Sequence, residues 1–77
     1  MTALERSTAR LLANPVEADF NDVRRVLEGH GWEQARQKGS HISFTKSGER
    51  PIIVSLARRR VKRAYVAEVC KRLGISQ

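Results

Sequence analysis

The sequence predicts an α+β fold, with helices packed against a three-stranded antiparallel sheet. Three observations predict it. Apolar residues recur at helical spacing on either side of the chain's middle: Phe20, Val23, Val26 and Leu27 before it, and Val66, Val69, Cys70 and Leu73 after it. Between them, His41-Ile42-Ser43-Phe44-Thr45 alternates polar and apolar, the period of a half-buried strand. Ser47-Gly48-Glu49 then separates two β-favouring runs where a hairpin turn belongs.

Taken in order, residues 2–13 read as a short helix. Thr2 and Glu5 have capping-box spacing, Leu4, Leu11 and Leu12 line one side, and Asn14-Pro15 stops it. So thin a stripe suits an accessory element, residues 1–15, on a core of residues 19–77, all within one domain of residues 1–77. Residues 20–28 form the next helix, with Asp19 as N-cap and Asp22 adding negative charge to the first turn. Gly29 and Gly31 end it and leave His30 in an exposed loop. The strands are Trp32–Gln37, His41–Lys46 and Arg50–Leu56. Pro51, which cannot donate to a ladder, belongs at a strand start or edge. The last helix covers residues 63–73, with Lys71 and Arg72 in its final turn, Gly74 as a left-handed cap and Ile75 folding back near Cys70. Trp32 belongs to the core of so small a domain, whereas Tyr65 fits either the core or an exposed face. Without its first helix the order is α-β-β-β-α, that of double-stranded-RNA-binding domains.

Composition narrows the function. At 77 residues, 40% hydrophobic and 30% charged, the chain suits a small globule whose apolar residues are nearly all structural. The net charge of +7 is uneven. Residues 1–30 hold four basic and five acidic side chains, and residues 31–77 hold eleven basic and three acidic. A basic half beside a near-neutral one points to a polyanion-binding face, although a merely solvated cationic surface has the same composition. Cys70 is the sole cysteine, which excludes an internal disulfide and a cysteine metal site, and its spacing makes it a core residue. No apolar run approaches 18 residues, and the first residues lack a secretory pattern, so the cytoplasm is the expected compartment. Two histidines without clustered carboxylates make no metal site, and no cofactor fingerprint is present.

The chemistry-bearing stretch is Arg36-Gln37-Lys38-Gly39-Ser40-His41. If Ile42 and Phe44 face the core, His41 faces water. RNA cleavage needs a proton removed from a ribose 2′-hydroxyl and one given to the leaving 5′-oxygen, and an imidazole can do either near neutral pH. Lys38, Arg36 and the Gly39-Ser40 backbone stand close enough in sequence to meet the developing negative charge. Taken on these residues alone, the favoured reading is a surface strand histidine without a chemical role. Arg58-Arg59-Arg60-Val61-Lys62-Arg63 carries five positive charges in six residues and reads as a solvated loop or helix start, able to track phosphates.

The Arg36–His41 stretch, six residues long, resembles the central motif of the HicA toxins. Phe20-Asn-Asp-Val with Leu27, Gly31-Trp32, and Val61-Lys62 with Tyr65-Val66 resemble other parts of that family, so the likeness covers nearly the whole chain. The resemblance implies a small messenger-RNA endonuclease of a bacterial toxin–antitoxin pair, with a double-stranded-RNA-binding-domain-like fold. It implies His41 as general acid and base without a metal or cofactor. Substrate phosphate would be held by Arg36, Lys38, Gly39 and Ser40, and flanking phosphates by Arg58, Arg59, Arg60, Lys62 and Arg63. The implied partners are mRNA and a HicB-like antitoxin covering the active face. Many members carry a second histidine in a Val-Pro-x-His sequence. Here the matching residues are Val54-Ser55-Leu56-Ala57, so that imidazole is absent. Its absence keeps two other readings open: a non-catalytic RNA-binding module of the same fold, and a protein whose basic surface meets an acidic partner.

Overall fold

The structure, a computed structural model, describes residues 1–76. Its elements run α1 (Ala3–Leu12), β1 (Glu17–Asp19), α2 (Phe20–Gly29), β2 (Glu33–Lys38), β3 (His41–Thr45), β4 (Ile52–Ala57), β5 (Arg60–Lys62) and α3 (Arg63–Leu73). All strand pairs are antiparallel, in the order β1-β5-β4-β3-β2. The α+β class holds, but the sheet has five strands and not the three expected.

Local chemistry accounts for the helix ends. The Thr2 hydroxyl accepts from the Glu5 amide at 3.1 Å, and the Glu5 carboxylate accepts from the Thr2 amide at 2.9 Å. That amide first, and the Thr2 hydroxyl second, hold the Glu5 carboxyl below the usual glutamate range. The Asp19 carboxylate accepts from the Asn21 amide at 2.8 Å and caps α2. Gly74, at φ +70°, ends α3 in the left-handed region, and the Ile75 amide donates back to the Cys70 carbonyl. His30 does not sit in an exposed loop. It caps α2 half-buried, its Nδ1 lying 2.8 Å from the Val26 carbonyl.

The core is the inner sheet face plus the apolar sides of the helices. Ala18, Ile42, Phe44, Ile52, Val54 and Val61 point inward from the strands to meet Phe20, Val23, Val26, Leu27, Val66 and Val69. Trp32 is buried, with the Arg72 guanidinium 5.5 Å from its ring centre. Cys70 packs half-buried against this cluster, and burial pushes its thiol pKa up, as expected of a core residue. The first helix adds Leu11 and more besides. Ser7 is fully buried and donates to the Asp22 carboxylate at 2.7 Å, which also takes Arg10 at 2.9 Å and Arg25 at 3.5 Å. Asp22 is thus a buried tie between α1 and α2, not just a first-turn charge. Gly29 lets α1 come close, because a Cβ there would meet the Leu4 side chain at 2.8 Å.

Of the two unexpected strands, β5 arises within residues 58–63 and β1 is Glu17–Asp19, which pairs with it. Arg58 and Arg59, at φ +53° and +63°, form a two-residue turn, and Arg60–Lys62 runs back along β4. This run is therefore a turn, a strand and the first residue of α3, not a loop or helix start. Glu17, Ala18 and Asp19 pair with Lys62, Val61 and Arg60 respectively. The Phe20 amide donates to the Arg59 carbonyl at 2.9 Å, and the Arg63 amide to the Val16 carbonyl at 3.0 Å.

Candidate active site

The helices leave the other face of the sheet open. Strand alternation and register decide what it shows. Glu33, Arg36 and Lys38 project there from β2, His41, Ser43 and Thr45 from β3, and Ile53, Ser55 and Ala57 from β4. Arg60 and Lys62 follow from β5, and Glu17 and Asp19 from β1. His41 is exposed and its neighbours Ile42 and Phe44 are buried, as the alternation predicts.

His41 stands between Lys38 on one side and Ser55 on the other. The Leu56 amide donates to the Ser40 carbonyl at 2.8 Å, which makes that pair the hydrogen-bonded one. The next pair, His41 and Ser55, is then the non-hydrogen-bonded kind, whose Cα atoms approach to ~4.5 Å and whose side chains lie closest. Lys38 and His41 flank a two-residue turn. Gly39 takes φ +61° at its first position, where glycine enters most freely, and nothing lies within 4 Å of the space a Cβ would fill. Approach to the turn is therefore unobstructed.

β3 begins beside the end of β4, so the Gly39-Ser40 and Arg58-Arg59 turns lie at the same end of the sheet. This gathers Lys38, Gly39, Ser40, His41 and Arg58 from two hairpins. Arg60 and Lys62 share the open face, but Asp19 and Glu17 stand directly across from them. Two cations of the run are tethered. Arg59 donates to Asn21 Oδ1 at 3.2 Å, and Arg63 to the Pro15 carbonyl at 3.1 Å. Arg36 lies on the face past a β-bulge between Gln34 and Arg36, its carbonyl accepting from the Ser43 hydroxyl at 3.4 Å. Tyr65 is on the exposed side of its choice, at 36% exposure.

Reading from sequence left out Ser55 and Ile53. Neither carries a motif, and the register that brings Ser55 beside His41 is the one signal pointing to it. Ile53 is 54% exposed in the middle of the charged face. The clefts lie elsewhere. One of about 480 Å³ is lined by Gly31, Glu33, Thr45, Lys46 and Ser47, at the far end of β3 from His41. Another, of about 300 Å³, runs between α1 and β1 past Arg60. His41 thus lies on an open surface and lines neither of these clefts. Among the described residues, no three His, Cys, Asp or Glu side chains come together to hold a metal ion, and no helix is long and apolar enough to cross a membrane.

Residues 20–75 match the family model described as the HicA toxin of bacterial toxin–antitoxin systems. No curated protein and no solved structure matches the chain. Residues before Phe20, with α1 and β1, lie outside the matched segment. The match spans nearly all of α2 through α3, and with it the whole Arg36–His41 stretch. The chain belongs to the HicA toxin family, and so is the toxin of a toxin–antitoxin pair with a cognate antitoxin as its partner.

Proposed function

We propose that this chain is a metal-independent endoribonuclease, an mRNA interferase, in which His41 moves the proton. The observation that carries this reading is an exposed imidazole set into a rigid strand register between Lys38 and Ser55, within a family of toxins. His41 takes the proton of a ribose 2′-hydroxyl, and that oxygen attacks the adjacent phosphorus. As the bond to the 5′-oxygen breaks, the imidazolium returns the proton to it, leaving a 2′,3′-cyclic phosphate and a 5′-hydroxyl end. One imidazole closes the proton count. Lys38, Arg36 and the amides of Gly39 and Ser40 face the charge that builds on phosphorus. Arg58, Arg60 and Lys62 hold flanking phosphates, with Arg59 and Arg63 contributing charge from their tethered positions.

The reading extends to the setting. Residues 19–77 act as a double-stranded-RNA-binding-domain-like toxin core and residues 1–15 as its accessory helix, in a single domain that works in the cytoplasm on mRNA. A HicB-like antitoxin then silences it by covering the open face.

The test is purified protein against RNA, wild type beside His41→Ala. An exposed strand position costs little in folding, within ~0.5 kcal/mol. Binding persists through Arg36, Lys38 and Arg58, while cleavage falls by roughly 10²–10⁴. Chelator leaves the wild-type rate unchanged. Equal cleavage by both proteins removes His41 from the chemistry. A second reading, an RNA-binding module without turnover, is favoured by Ala57, a methyl group on the open face where the resembled pattern has an imidazole. RNA binding without cleavage by wild type would establish it.

A further inference from the structure

We propose that Ser55 is a further catalytic residue of this site, its hydroxyl donating to a non-bridging oxygen of the phosphate on which His41 acts. The inference rests on the proposed ribonuclease reading and names a residue that the motif does not contain.

Geometry singles Ser55 out among the hydroxyls of the face. Ser43 already donates to the Arg36 carbonyl. Thr45 lies at the far end of β3, and Ser40 belongs to the turn. Ser55 is directly opposite His41 in the close, non-hydrogen-bonded kind of pair. It is half-buried on a central strand, paired with His41 of β3 and one residue from the β5 ladder that starts at Leu56, and so does not sit on a loop. A phosphate placed over His41 therefore meets Lys38 on one side and Ser55 on the other, strand neighbours ~4.8 Å apart on each flank.

Chemistry adds a reason. His41 is engaged with the proton of the attacking and leaving oxygens, so the charge on the non-bridging oxygens calls for donors of its own. Lys38 meets that charge from β2. On the β4 side Ala57 offers a methyl group and Ile53 an apolar chain, leaving Ser55 as the donor. The cations on this face nearest the point are Lys38 and Arg36 from β2 and, across β4, Lys62 and Arg60 from β5. Carboxylates reach the face from β1, three strands from His41, and from Glu33 at the other end of β2, opposite Thr45 and not His41.

The experiment compares wild type, Ser55→Ala and Ser55→Thr on an RNA with one cleavable linkage, prepared as ordinary phosphate and as each phosphorothioate diastereomer. Ser55→Ala should lower kcat by roughly 100-fold, the lower end of what one transition-state donor supplies, with affinity for a non-cleavable 2′-O-methyl oligonucleotide little changed. Ser55→Thr, which keeps the hydroxyl, should retain most of the rate. Wild type should discriminate between the two diastereomers, and Ser55→Ala should lose that discrimination, which a purely structural role would leave in place. An Ala variant as fast as wild type overturns the proposal, as does a diastereomer preference that survives it. If wild type cuts nothing, the ribonuclease reading fails by itself. Ser55 is then judged by titrating the 2′-O-methyl oligonucleotide into ¹⁵N-labelled protein. Amide shifts at Ser55 together with Lys38 and His41 support the contact, and an unmoved Ser55 refutes it.

Discussion

Replacing Arg58-Arg59 by Asn-Gly should make this protein more stable and a poorer RNA binder at once. Both arginines sit in the left-handed region, at φ +53° and +63°. A side chain with a Cβ costs about 1 kcal/mol or slightly more there, and Asn-Gly is the pair that such a two-residue hairpin turn favours. Relief at two positions is worth about 2 kcal/mol. Against it stand the exposed hydrogen bond from Arg59 to Asn21, worth about 0.5 kcal/mol, and the extra unfolded-state freedom of glycine, about another 0.5 kcal/mol. The Arg59 carbonyl that accepts from the Phe20 amide survives, because it is backbone. The net gain is about 1 kcal/mol, a rise in Tm of roughly 4–8 °C for a domain this size.

Thermal or urea unfolding reads the first half, and the salt dependence of RNA binding reads the second. Arg58 is untethered whereas Arg59 is held by Asn21, so one phosphate contact is lost rather than two. The log–log salt slope should flatten by about 0.7 and not about 1.4. An Arg58→Gln, Arg59→Gln control keeps the strained backbone while removing the charge. It should flatten the slope equally without stabilising the fold. An Asn-Gly variant no more stable than wild type would refute the strain argument. An unchanged slope would show that this hairpin tip points away from RNA.

Two other outcomes test the scaffold and the missing imidazole. Ser7→Ala removes a fully buried hydroxyl and should cost ~1–3 kcal/mol by urea unfolding, because the Asp22 carboxylate loses a donor and Arg25 loses an acceptor. Ala57→His puts an imidazole on the open face, one alternation step along β4 from Ser55; single-turnover cleavage should rise by roughly tenfold, short of the ~10²–10⁴ of a fully positioned group, and no change would mean that His41 does not lack a partner.

Elements that carry their own signal were legible. The Thr2–Glu5 box, the Phe20–Leu27 stripe, the His41–Thr45 alternation and the Gly74 cap each need only neighbouring residues, and each appears where expected. The sheet's other half was not legible, for the opposite reason. β1 is Glu-Ala-Asp, with a single inward apolar residue, and β5 is Arg-Val-Lys. Neither has a pattern longer than one alternation. The turn feeding β5 uses two arginines where a glycine or asparagine would have announced a hairpin. What commits these strands is mutual: Val61 pairs with Ala18 and Leu56 on the inner side, while Glu17 opposes Lys62 and Asp19 opposes Arg60 on the outer. That complementarity becomes visible when residues far apart in sequence are set in register. The same holds for the candidate site. His41 was legible from its motif and period, whereas Ser55 owes its place to a cross-strand pairing.

The five-stranded sheet also changes how the positive charge is understood. Read as a loop, residues 58–63 were one flexible cluster of five cations. Folded as turn, strand and helix start, they divide. Arg60 and Lys62 face carboxylates of β1 across the ladder, Arg59 and Arg63 are tied to Asn21 and Pro15, and Arg58 stays untethered at the tip. Positive charge on the open face therefore gathers at the turn end of β2, where Arg36 and Lys38 lie on the His41 side; Glu33 offsets it at the other end of β2 and the acids of β1 offset it at the far edge. An RNA strand crossing from β2 to β5 spans three strand spacings, about 14 Å, and runs down this gradient. It is held most firmly beside the imidazole and least firmly where the acidic edge strand ends the track. An even spread of charge would hold RNA anywhere on the sheet. On the proposed reading, the gradient puts the best-held phosphate beside His41.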